Sequence, residues 1–211
     1  MVVFEFCGEN LTLLDKAIAA GASRIELCDN LAVGGTTPSI GVIKEALKLT
    51  REKSVDLCVI IRPRGGDFVY TDSEVEAMLT DIGVAKDLGV SSFVLGALTE
   101  DRQLDQPVIQ RLLAACGDSE VVFHMAFDEL AVSDQLEAID WLSSQGVDRI
   151  LTRGGSLDAT LDQRFANYHR LLAVAKGKIQ ILPGGGITLE NRQLFLQQLG
   201  VRQLHGRRIV F

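Results

Sequence analysis

GVDRILT, Gly146 to Thr152, decides the fold, because its pattern occurs three more times, as GASRIEL (Gly21 to Leu27), GVSSFVL (Gly89 to Leu95) and GVRQLHG (Gly200 to Gly206). Each copy follows an amphipathic stretch, opens on a glycine suited to close a helix, and runs into a short apolar strand. Four more strand patterns lie between them: VVFEFC, VDLCVIIRP, EVVFHMAFD and KIQILPGGG. Strand and helix therefore alternate through eight units of about 26 residues, which predicts a (β/α)8 barrel, or TIM barrel, as one domain over 1–211. Helices are expected over Leu11–Ala20, Ile40–Arg51, Ser73–Leu88, Gln106–Cys116, Asp134–Gln145 and Leu189–Leu199, with a weakly marked start to the one between Leu157 and Lys176. A doubly wound open sheet would announce itself with a glycine-rich turn after the first strand, and CGENLT has one glycine. Only Arg207 to Phe211 follow the eighth strand, too few for the usual eighth helix, so either that strand is capped another way, a partner subunit in a homo-oligomer being one candidate, or the sequence is truncated.

With 211 residues, 47% of them hydrophobic, the chain can bury a sizeable core. Its net charge of −7 argues against nucleic acid or an anionic membrane surface as partner. No apolar run approaches the ~18 residues of a membrane span. MVVFEFCGEN has no basic start and carries Glu5, so it reads as a strand and not as a secretion signal. Cys7, Cys28, Cys58 and Cys116 lack Cys-x-x-Cys or zinc-ribbon spacing, which suits reduced thiols in a cytoplasmic protein.

Period-two alternation sorts each strand into a helix-facing and an interior set. With the bulky residues packed on the helices, the interior receives Glu5, Cys7, Glu26, Cys28, Arg62, His124, Thr152, Gln203 and His205. A barrel built for stability alone fills this space with Val, Ile and Leu. Buried carboxylates, an arginine and two histidines must pair or bind something. One reading is an ion-pair network of Glu5 and Glu26 with Arg62. The other is a site at the C-terminal ends of the strands, where this fold carries its chemistry. The loops RPRGGDF, TRGG, PGGGIT and HGRR put Arg62, Arg64, Arg153, Arg207 and Arg208 at that end of an acidic protein. Gly184, Gly185 and Gly186, with Thr188 expected as a helix N-cap, would offer backbone N–H groups to an anion there.

The motifs IELC…GGTTPS (Ile25 to Ser39), IRPRGGDFVY (Ile61 to Tyr70), GALTED (Gly96 to Asp101), FHMAFD (Phe123 to Asp128), LTRGG (Leu151 to Gly155) and LPGGGIT (Leu182 to Thr188) occur in one order. Together they resemble the CutC family, named for copper homeostasis, over essentially the whole chain. The resemblance implies a (β/α)8 barrel, a cytoplasmic protein linked to copper tolerance, and Cys7 and Cys28 as candidate copper(I) ligands. It also marks departures. Met125 stands where the family usually has arginine, Arg153 where it usually has serine, and the chain stops sooner after the strand-8 histidine. By the alternation Met125 falls on the face opposite His124, and Arg153 lies near the mouth.

Soft copper(I) favours thiolates in low coordination, and two cysteines at the ends of neighbouring strands about 4.8 Å apart can converge on one ion in a digonal site. Buried cysteine is also a common packing residue, the expected role of Cys58 and Cys116. The rival function is an enzyme, of lyase or isomerase type, acting on a small phosphorylated or carboxylated metabolite. His124, Glu26 and Asp128 are then its acid–base groups, with Arg62, Arg64, Thr152, Gly184, Gly185, Gly186 and His205 binding the ligand.

Overall fold

The computed structural model of the chain describes residues 2–211. Eight parallel strands alternate with α-helices, as β1 (Val3–Glu9), α1 (Leu14–Ala19), β2 (Arg24–Cys28), α2 (Ile40–Lys53), β3 (Asp56–Ile60), α3 (Asp72–Leu88), β4 (Ser92–Leu95) and α4 (Gln106–Cys116). The second half continues with β5 (Glu120–Phe123), α5 (Gln135–Ser144), β6 (Arg149–Thr152), α6 (Leu161–Ala175), β7 (Gln180–Pro183), α7 (Arg192–Leu199) and β8 (Gln203–Gly206). This is the expected (β/α)8 barrel with seven helices among the described residues. The glycines of the repeated phrase do the expected work: Gly89 and Gly200 close α3 and α7 in the left-handed conformation, at φ 94° and 64°. No helix among the described residues is long and apolar enough to cross a membrane.

Pairing runs β7-β6-β5-β4-β3-β2-β1-β8, every neighbour parallel. The β7–β8 seam carries no ladder. Gln203 Nε2 donates to Gln180 Oε1 at 2.8 Å there, and Leu189 N to Arg208 O at 2.7 Å. Ile25, Leu27, Val59, Phe93, Phe123 and Ile150 face the helices, where the main core lies. Cys58, Ile60, Val94, Val122, Leu151 and Leu182 form a second, apolar cluster inside the barrel. Polar side chains gather at the two ends of the interior and are linked along β1 and β8 through Arg24, Glu5 and His205.

Helix starts differ from the periodicity wherever local polar bonding decides them. Leu13 is left-handed at φ 62°, so α1 begins later than expected and leaves Leu11 and Leu13 exposed. Thr160 and Gln163 form a reciprocal capping box, which sets the start of α6 that the apolar pattern marks poorly. Thr188 is not a helix N-cap. It bridges to Arg208, its N–H donates to Asn191 Oδ1 at 2.8 Å, and α7 starts only at Arg192.

The chain's own last residues occupy the place of the eighth helix. Ile209 and Val210 are buried, and Phe211 stacks on Phe6 with ring centroids 5.5 Å apart. Lys16 Nζ lies 4.3 Å from the Phe211 ring, and Arg192 Nη1 donates to Ile209 O at 2.7 Å.

Candidate functional site

The C-terminal mouth of the barrel holds a cleft of about 920 Å³. Register explains what gathers at its floor. Pairing of β1 with β2 sets Cys7 beside Glu26, and pairing with β8 sets Glu5 beside His205. The cysteine Sγ, a Glu26 carboxylate oxygen and a His205 ring nitrogen all lie within 4.8 Å of one another. Cys28 Sγ sits behind, 4.0 Å from Cys7 Sγ and 3.5 Å from Glu26 Oε2. All four side chains are buried, and all four cysteines of the chain are free thiols.

An ordered chain of polar contacts supports this floor from below. Arg24 donates from Nε to Glu5 Oε2 and from Nη2 to Gln203 Oε1 at 3.0 Å. The other oxygen of Glu5 holds His205 Nδ1 at 2.7 Å, leaving Nε2 to face Glu26 Oε2 at 3.7 Å. Burial works against the charge of Glu5, but Arg24 and His205 outweigh it and hold its carboxyl down at about 2. Around the floor the shifts separate the partners. The contact with Cys28 and the nearby His205 draw the Cys7 thiol well below its usual range despite burial. The same contact and burial push Cys28 well up. Burial and the Cys7 charge raise Glu26. Burial disfavours the imidazolium, yet Glu26, Cys7 and Glu5 together raise His205 well above its ordinary value.

The expected ion pairs with Arg62 do not form. Arg62 reaches the other way, with Nη1 donating to Val33 O at 2.9 Å and Gly35 O at 3.0 Å and Nη2 to Gly66 O at 2.7 Å. It thereby ties the loops after β2 and β3 together, and its guanidinium lies 4.8 Å from the Phe68 ring. Phe68 also stacks on His124 at 4.8 Å. Ala126 N donates to His124 Nδ1 at 3.3 Å, so the neutral ring carries its proton on Nε2, which is buried without an acceptor. Burial and then the Arg62 charge depress His124 to about 3. At neutral pH it is a hydrogen-bond donor and not a cation.

Cys7, Glu26, Arg62, His124, His205, Gly185 and Gly186 line the cleft. Cys28 is layered behind Cys7. Arg64 is drawn out of the mouth by Glu74 at 2.5 Å and Asp67 at 3.0 Å. Thr152, placed in the interior from the sequence, is corrected. Leu151 faces inward and Thr152 turns to the other side, where its hydroxyl donates to Asp128 Oδ1 at 2.5 Å. Asp128 is thereby sealed away from the cleft, also accepting Arg153 N at 2.9 Å, and burial raises it to about 6. Gly184 gives its carbonyl to Tyr168 and Arg164. Met125 is the other correction. β5 ends at Phe123 and a 3₁₀ turn starts at Met125, so alternation no longer applies and Met125 lines the cleft with Arg153.

Three lining features went unread in the sequence: Arg164, and the loop residues Leu31 and Gly34. Arg24 and Arg149 were missed inside the barrel, although the alternation that places Glu26 and Leu151 inward places them there too. Arg149 Nη2 binds Glu120 at 2.8 Å at the far end of the interior.

Comparison with known proteins finds relatives over nearly the whole chain. A protein named CutC from Enterococcus faecalis (strain ATCC 700802 / V583) is 49% identical over 99% of this chain and 100% of its own length. A human protein named copper homeostasis protein cutC homolog is 40% identical over 96% of this chain and 72% of its own. A crystal structure of CutC from Streptococcus agalactiae superposes with a TM-score of 0.95 at 47% identity, covering 99% and 100% of the two chains. Deoxyribose phosphate aldolase from Aeropyrum pernix, at TM-score 0.70 and 13% identity, shares the fold alone. The family model described as CutC family matches residues 2–210, and with these relatives it shows that the chain belongs to the CutC family.

Proposed function

We propose that the floor of the barrel mouth binds copper(I), with Cys7 and Cys28 as thiolate ligands and His205 as the third donor. The observation that carries this reading is the convergence of two sulfurs, an imidazole nitrogen and a carboxylate in one buried cluster. Soft thiolate and imidazole donors in low coordination suit copper(I). At a typical metal–thiolate length of ~2.3 Å, sulfurs 4.0 Å apart subtend about 120° at an ion between them, an angle that calls for a third ligand. The digonal arrangement thus gives way to a trigonal one. Glu5 holds the far nitrogen of His205 as a carboxylate holds a ligating histidine in many metal sites. Glu26, raised and adjacent, is placed to take the proton that a cysteine gives up on binding. The copper homeostasis names of relatives accord with this reading. Free thiols accord with a reducing, cytoplasmic setting.

The test is an anaerobic copper(I) titration against a competing chelator. Wild type should bind one ion tightly, and Cys7→Ser and Cys28→Ser should each weaken binding by two or more orders of magnitude. Binding indifferent to both substitutions would overturn the reading. A second reading, an acid–base enzyme using Glu26 and His205, draws on a cleft far larger than one ion needs. It predicts that Cys28→Ser leaves function intact, which separates the two.

A further inference from the structure

We propose that the cleft above this floor is a binding site for a small phosphate monoester, its phosphate held on the β6–β8 side and a hydroxyl or carbonyl oxygen held by His124 Nε2–H. The proposal does not rest on the copper reading, since none of its residues is a copper ligand there.

Two independent observations meet in one cleft. The first is an unspent donor. His124 is only 4% exposed and lines the cleft, and its Nε2–H has no acceptor. A buried donor left without an acceptor carries its full desolvation cost, so a ligand oxygen that satisfies it gains more than a bond at the surface. The Phe68 ring, tilted at 47° against the imidazole, is itself half-buried, and access of a ligand oxygen to the covered Nε2 requires this packing to shift.

The second is a concentration of positive charge without ion-pair partners, in a cleft whose lining also carries Glu26 and Glu129. Arg62, Arg164, Arg207 and Arg208 line the cleft and have no carboxylate within 4.0 Å among the described residues. Arg164 donates to Arg153 O at 2.6 Å, Gly184 O at 2.9 Å and Gly185 O at 2.7 Å, which fixes its charge beneath the loop after β7. Gly185 and Gly186 above it are both left-handed, at φ 69° and 77°, and their N–H groups donate to no other described backbone group. A Cβ on Gly185 would meet Arg153 Cβ at 2.5 Å, so the loop stays open only without a side chain. Amides on one side and guanidinium groups on others suit the several oxygens of a phosphate dianion better than a planar carboxylate. His124 at the end of β5 and this loop at the end of β7 are two strand spacings apart, about 10 Å, which a phosphate ester of about three carbons spans.

The test is calorimetric titration of the metal-free protein with glycerol phosphate, with inorganic phosphate, glycerol and glycerate as separate probes. Glycerol phosphate should bind, weaken as salt rises, and outcompete each of the other three by roughly tenfold. His124→Phe, which keeps a ring beside Phe68, and the double variant Arg207→Ala/Arg208→Ala should each lose roughly tenfold, with partial rescue in His124→Asn. Thermal unfolding checks that each variant is folded. The titration uses metal-free protein and reads binding of the phosphate ester alone, so a failed copper titration leaves this result standing. No binding at about 10 mM probe, equal binding of glycerate, or binding indifferent to His124→Phe would overturn the proposal.

Discussion

Asp128 is the residue whose protonation folding alters in the most legible direction. Its carboxyl is sealed with Thr152 and Arg153 N, and burial lifts it from 3.8 to about 6. The folded state therefore holds a proton more readily than the unfolded chain. Its contribution is fully present below pH 3.8 and is lost as pH rises through about 6, on the order of 2–3 kcal/mol in all. Asp128→Asn keeps the acceptor and removes the titration. Denaturant unfolding from pH 3.5 to 7 should show the variant gaining on wild type across that window. Parallel curves would mean that Asp128 does not titrate as its burial demands. Arg24 makes a larger claim. It is the cationic partner of a carboxylate with no route to water, so Arg24→Met should cost about 3–5 kcal/mol. The double variant Arg24→Met/Glu5→Gln should recover part of that loss in the same unfolding assay, because the carboxylate that loses Arg24 is then neutral, and only part because His205 also loses the Glu5 carboxylate.

Among the elements, α6 and the loop before it show how short-range chemistry sets what apolar periodicity leaves open. The capping box of Thr160 and Gln163 starts the helix, and Thr160→Ala should lower stability by about 1 kcal/mol. Tyr168, two turns on, is fully buried and bonds Thr152 O at 2.8 Å, so the helix is pinned to the end of β6. Gly154 lies directly beneath that ring, at φ 78°, where a Cβ would approach Tyr168 Cε2 to 2.5 Å. Gly154→Ala combines backbone strain with a clash against a ring that cannot move, and a loss of about 2–4 kcal/mol is expected. A midpoint in urea equal to that of wild type would show that the loop, and not the ring, yields. The last residues behave as an element in their own right. Phe211 rests on Phe6 and Lys16 over the outer face of the β8–β1 seam.

At the scale of the molecule, the interior divides into two polar ends separated by an apolar plug of Cys58, Ile60, Val94, Val122, Leu151 and Leu182. Arg24 and Arg149 serve the lower end, and Cys7, Glu26 and His205 the upper. The plug is bypassed along β1 and β8, where Arg24, Glu5 and His205 link the lower end to the mouth. Four guanidinium groups there without an ion-paired carboxylate among the described residues stand against a net charge of −7 for the whole chain. Association of any anionic ligand should therefore slow steeply with salt, although the protein as a whole is acidic. Stopped-flow binding rates that do not change between about 20 and 300 mM salt would remove the focusing field from the account.

The recurring glycine-strand phrase and the strands between its copies determined the barrel by themselves, because period-two burial and helix closure are local properties that four copies and four intervening strands repeat. The same alternation set Glu5, Cys7, Glu26, Cys28, Arg62, His124 and His205 at the interior positions of their strands. Tertiary structure alone decided whom each of them meets. Strand register, and not spacing along the chain, put Cys7 against Glu26 and Glu5 against His205. Arg62 turned to loop carbonyls, and Glu5 took Arg24 in its place. Alternation failed past the end of β5, where Met125 swung into the cleft in a 3₁₀ turn. Thr152 obeys it, facing out to Asp128 because Arg149 and Leu151 take the interior of β6. Periodicity holds only while the ladder's hydrogen bonds hold the backbone extended, and the site lies just beyond the last of them.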